Sequence, residues 1–150
     1  MDVAQTLDNS VRAGVYRFFA AQARAPVAAE LANQLGEAQA TVEESFRRLA
    51  ADHLLVLAPG TPYIWMANPF SALPTPFSVQ VEDRTWFGNC IWDAVGIVML
   101  LGGDGMVTTW CPDCAAPLRV EIVDSALVTG QGVAHFANPA YRWWDDIGFN

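Results

Sequence analysis

Apolar residues recur every three to four positions from Asn9 to Ala23, at Val11, Val15, Phe18 and Phe19, with Leu7 ahead of them and Arg12 and Arg17 between. That spacing predicts an amphipathic helix with its arginines toward solvent. Pro26, whose missing N–H costs nothing in a first turn, opens a second helix through Ala29, Leu31, Ala32 and Leu35, and Gly36 stops it. A third helix, Ala38 to Asp52, buries Val42, Phe46 and Leu49, with Thr41 as a candidate cap. The period then shortens. Leu54–Leu57 and Tyr63–Met66 read as strands around the turn Ala58-Pro59-Gly60-Thr61-Pro62. Three helices followed by a hairpin predict a winged-helix-like lobe over residues 1–70.

Asn68 to Pro76, rich in proline with serine and threonine, reads as a linker into a second domain over residues 71–150. Phe77–Glu82 alternates as a strand and leads to Trp86-Phe87-Gly88-Asn89-Cys90-Ile91-Trp92-Asp93-Ala94. There Asn89 reads as the N-cap of an apolar helix from Cys90 to Leu101, closed by Gly102-Gly103-Asp104-Gly105. Met106–Trp110 and Leu118–Val123 are strands on either side of Cys111-Pro112-Asp113-Cys114, with short strands following at Ala126–Val128 and Val133–Phe136. The fold class is α+β: a three-helix lobe, then a small mixed or antiparallel sheet domain carrying one helix. The last residues, Tyr141 to Asn150, are aromatic and apolar, which is expected of a chain that continues into a core or of a shortened relative.

Composition narrows the classes. The chain has 150 residues, 53% hydrophobic and 16% charged, enough to build a real core. Net charge is −8 and every base is arginine, with only Arg84, Arg119 and Arg142 beyond residue 70. Phosphate binding needs concentrated positive charge, so nucleic acid is not an expected partner, and the mixed face of Glu43, Glu44, Arg47 and Arg48 on the third helix agrees. The N-terminus lacks the basic and apolar regions of a signal peptide, and no apolar run reaches the roughly 20 residues of a membrane span. Three cysteines, an odd number, are expected as reduced thiols in a cytoplasmic protein.

Cys90 and Asp93 lie three apart at a helix start and so share a face. The helix dipole there favours thiolate, and also an ionised Asp93, which burial among Trp86, Trp92 and other aromatics opposes. A buried structural cysteine beside a first-turn acid is the alternative reading. Cys111 and Cys114 have the spacing of half a zinc site, but no second pair completes it, so zinc is not expected. They serve equally as a turn between strands or as a second thiol for Cys90. Cys90, Cys111 and Cys114 together are the candidate soft-metal ligands. His135 is a hydrogen-bonded core residue at a strand end, a base, or a neighbour of that metal. Trp86, Trp92, Trp110 and His135 are the candidate walls of a substrate pocket.

Taken in order, Trp86–Ala94, Cys111-Pro112-Asp113-Cys114-Ala115-Ala116-Pro117, His135-Phe136 and Arg142-Trp143-Trp144-Asp145-Asp146-Ile147 resemble the alkylmercury (organomercurial) lyase family, in a divergent or C-terminally shortened form. The resemblance implies protonolysis of a carbon–mercury bond without an organic cofactor, with Cys90 as the attacking thiol and Asp93 as proton relay. It implies a small organometallic or other hydrophobic substrate, and cellular thiols as partners. The family's second catalytic cysteine falls after the Trp-Trp-Asp-Asp-Ile segment, where this chain has none; Cys111 matches a structural cysteine, and Cys114 is an addition. Two alternatives follow: another enzyme chemistry at Cys90 on the same scaffold, or a non-catalytic metal-binding or winged-helix regulator.

Overall fold

The computed structural model describes residues 3–130 and 132–148. Helix α1 spans Val3–Gln22, six residues earlier than its apolar spacing shows, because its first turns are polar and exposed and leave no period to read. Those turns carry Asp8, whose carboxylate accepts Ser45 Oγ at 2.6 Å and Arg48 Nη2 and Nε at 2.7 and 2.9 Å, tying α1 to α3 (Gln39–Ala51). The Arg48 hydrogen bonds hold the Asp8 carboxyl below its ordinary value against the opposing effect of burial. Helix α2 (Ala28–Leu35) starts after Pro26, with the Val27 N–H given to Glu30 Oε2 at 2.9 Å, and ends as expected at Gly36 in the left-handed conformation (φ 71°). Thr41 is not a cap: Ala38 holds that position in α3 with no side-chain bond, and Thr41 lies inside the first turn.

Strands β1 (Val56–Leu57), β2 (Ile64–Ala67) and β3 (Phe70–Ser71) form an antiparallel sheet in that order. The third strand occupies the start of the stretch expected as a linker. Phe70 explains why: it is buried, and its ring stacks on Phe19 of α1 at 5.1 Å and 10°. A two-residue strand is too short to show a period.

The second sheet runs β5-β4-β6-β7-β8, antiparallel throughout. Its strands are β4 (Ser78–Val81), β5 (Arg84–Phe87), β6 (Gly105–Trp110), β7 (Pro117–Val123) and β8 (Ala126–Thr129). Strand β5 is absent from the sequence reading because Glu82-Asp83 makes its hairpin turn without glycine or asparagine, Glu82 taking φ 53° itself. Helix α4 (Ile91–Leu100) packs on β4 and β6 through Ala94, Ile97 and Val98. Val133–Phe136 forms no strand; the chain runs irregularly there and ends in a 3-10 helix over Ala140–Asp145. The aromatic ending is surface-borne: Trp144 stacks on His53 at 4.0 Å and 6°, and Tyr141 is 85% exposed. No helix among the described residues is long and apolar enough to cross a membrane.

One apolar core joins helices and sheets, from Val11, Phe19, Leu31 and Phe46 through Phe70 and Trp86 to Ile97, Val107 and Ile122. Trp86 is the crosspiece. It is buried in β5, and its indole Nε1–H donates to Phe19 O at 2.7 Å. Trp86→Phe is expected to cost about 1–3 kcal/mol, from the lost hydrogen bond and the smaller ring, read as a lower urea midpoint.

Candidate active site

The site begins where β5 ends. Gly88 bridges to Phe70, donates its N–H to Phe77 O at 3.0 Å and accepts from Thr75 Oγ1 at 2.6 Å. A β-carbon there would lie 2.6 Å from Ala94 N and 2.8 Å from Ala94 Cα, so only glycine lets the strand end pass against the first turn of α4. Because the obstacle is backbone, Gly88→Ala is expected to push the helix back. The cost is about 1–3 kcal/mol of overpacking, measured as a fall in the thermal midpoint.

Two residues on, Cys90 takes extended backbone (φ −144°, ψ 178°) and is itself the N-cap, its Sγ accepting Asp93 N–H at 3.4 Å. Asn89 is therefore not the cap, and the helix starts at Ile91. The Asn89 side chain turns instead toward the neighbouring lobe, where Nδ2 donates to Asn68 Oδ1 at 3.0 Å and Pro69 O at 3.3 Å. Its Oδ1 is buried with no hydrogen-bond partner among the described residues. Asn89 and Cys90 both act on the Asp93 carboxyl, each favouring its ionised form. Cap, acid and amide thus form one unit.

Burial decides the protonation states. It pushes the Cys90 thiol up, and the nearby Asp93 charge adds to this, while the N–H groups of Asp93 and Trp92 pull the other way. The expectation that the helix start favours thiolate is therefore overturned for the resting site. Burial also raises the Asp93 carboxyl against the stabilising hydrogen bonds of Asn89 and Cys90. At rest, the thiol keeps its proton next to a carboxyl that holds a proton more readily than usual.

The other candidates are spread out. Cys111 and Cys114 sit in the turn between β6 and β7, where the amides of Cys114 and Asp113 and the Cys114 thiol hold the Cys111 thiol below its ordinary value. The three cysteines do not gather into one metal cluster: no group of three or more His, Cys, Asp or Glu ligands occurs among the described residues. The reason is topological, since β4 lies between β5 and β6 and so between the two thiol-bearing loops. Trp92 and His135 line an open, mainly apolar trough of about 610 Å³ together with Phe136, Asn138 and Trp143. Trp86 does not wall it, being spent in the core, and Trp110 stands outside it at the end of β6, 52% exposed. Cys90 and Asp93 are not in the lining either; Trp92, between them in sequence and 72% exposed, is what connects site and trough. Asn89, Phe136 and Trp143 were missed from the sequence. Asn89 had one available signal, its place beside Cys90, but read as a cap it had no further role.

A family model of the alkylmercury lyases matches residues 70–149, which include the whole Gly88–Asp93 unit and the cysteine turn. Among solved structures, the chain is similar to the crystal structure of the mercury-bound form of MerB2, with a TM-score of 0.64 and 23% identity. The similarity covers 81% of this chain and 59% of that one, so the chain spans about three fifths of the length of the protein it matches. No curated protein sequence matches it. At that identity the structural likeness speaks for the α+β fold alone, while the family match covers more than half of the sequence. The chain belongs to the alkylmercury lyase family.

Proposed function

We propose that this protein cleaves the carbon–mercury bond of small organomercurials by protonolysis, with Cys90 as the attacking thiol and Asp93 as proton relay. One observation carries the reading: at the start of α4 the Cys90 sulfur accepts the Asp93 N–H at 3.4 Å, which sets the thiol and the carboxyl on one helix turn, and burial raises both. Mercury is a soft ion matched to sulfur. As Cys90 Sγ bonds to mercury, its proton passes to Asp93. Asp93 then delivers that proton to carbon as the carbon–mercury electron pair moves onto the carbon, which is general-acid catalysis. The products are a hydrocarbon and a mercuric ion on sulfur. No organic cofactor and no zinc enters these steps.

The second sulfur on mercury comes from a cellular thiol, since Cys111 and Cys114 do not join Cys90 in a cluster. Such thiols are plentiful in the cytoplasm, where we place the protein. The trough beside Trp92 receives the organic group. The N-terminal lobe, which we read as winged-helix-like, is a packing module and not a DNA reader: in α3, Arg48 is held by Asp8 and Arg47 pairs with Glu43 at 3.5 Å. The test is incubation with phenylmercury and excess thiol, following benzene by gas chromatography. Product from wild type and none from Cys90→Ser is the expected result; equal product from both would sink the proposal.

A further inference from the structure

Cys111 and Cys114 take no part in the chemistry proposed above, and their setting differs from that of Cys90. Cys114 is exposed and Cys111 half-buried. Their turn is closed by Cys111 N–H to Ala116 O at 2.8 Å and Ala115 N–H to Cys111 O at 2.9 Å, with Ala115 in the left-handed conformation (φ 57°). Both cysteines therefore lie inside one hydrogen-bonded turn, three residues apart, at the end of β6. Two thiols are thus carried by one ordered turn at the protein surface. A tetrahedral ion such as zinc would need two more ligands. No third ligand joins them among the described residues, so the turn suits a thiophilic cation content with two sulfurs.

The strand register places this turn. Ser78 of β4 faces Phe87 of β5 on one side and Thr108 of β6 on the other. Cys90 and Cys111 each follow three residues after those partners, so both leave the sheet from the same end. At Phe87 and Thr108 the backbones are two strand spacings apart, roughly 10 Å.

We propose that Cys111 and Cys114 form a second, self-contained metal site, a two-sulfur clamp for a thiophilic cation, which takes over the mercuric ion left on Cys90. The takeover rests on the lyase reading; the clamp does not. In the transfer, two sulfur–mercury bonds form at the clamp as those to Cys90 and the external thiol break. Mercury stays divalent, and the two protons shed by the clamp pass to the departing thiolates.

The experiment titrates the full chain, reduced with a phosphine instead of a thiol, with mercuric chloride against competing glutathione, and reads bound metal by native mass spectrometry. Cys90→Ser is expected to retain one mercury per chain. Adding Cys114→Ser, an exposed position, with the fold of the variant checked by circular dichroism, is expected to weaken retention at least about 100-fold, because the second sulfur is no longer supplied within the molecule. Equal retention by the two variants, or one mercury shared between two chains, would overturn the clamp. Retention by Cys90→Ser alongside a wild type that releases no benzene would support the clamp while rejecting the lyase reading.

Discussion

Cys90→Ser is expected to lower benzene release from phenylmercury by at least about a thousandfold, the scale at which removing a nucleophile leaves only binding and positioning effects. The substitution separates chemistry from folding. Cys90 caps α4 through its sulfur, and serine is among the best N-cap residues, so the Asp93 N–H keeps an acceptor. A hydroxyl, however, is a poor ligand for a soft metal. Unchanged circular dichroism and thermal midpoint with lost turnover would assign the sulfur a chemical role. A variant that melted early would instead mark Cys90 as structural.

Asp93→Asn carries the second largest effect, a loss of about 10²–10⁴-fold, the usual contribution of a positioned general acid. Its signature lies in pH. The proposed reaction needs one proton shared by Cys90 and Asp93. The wild-type rate should fall at low pH, when Asp93 is already protonated and cannot accept the thiol proton, and at high pH, when the pair has no proton to give. Because burial raises both groups, the acidic limb lies above the ordinary carboxylate range and the alkaline limb above the ordinary thiol range. These limits belong to the coupled pair. Asp93→Asn should lose the acidic limb. It should also be more stable at neutral pH. A carboxyl raised in the folded chain holds its proton more tightly than in the unfolded chain, so ionised Asp93 opposes folding above the folded pKa. Asparagine removes that penalty, and the gain should vanish below the unfolded pKa. Thermal midpoints across pH would show it; a lower midpoint at neutrality would contradict it.

Much of this was legible in the chain, and the misses share a physical origin. The three helices were readable because apolar periods of Val11, Val15 and Phe19 or Val42, Phe46 and Leu49 follow directly from burying one face. Strands β3 and β5 were not, because Phe70 and Trp86 are fixed by α1, far away in sequence. The Cys90/Asp93 pair was visible from spacing alone. Its protonation was not, since burial outweighs the helix start only once tertiary packing is known. Trp86 looked like a pocket wall for the same reason: sequence gives an aromatic ring but not the side from which it is covered.

The Trp86–Phe19 bond has an evolutionary consequence. The family match begins at Phe70, yet Phe70 and Trp86 both seat on a residue of α1. The helical lobe is therefore not a free attachment that recombination can exchange. Changing Phe19 removes the ring on which Phe70 stacks, and Phe70 bridges to Gly88, two residues before Cys90. Selection on Cys90 and selection on the first helix act on one inherited unit.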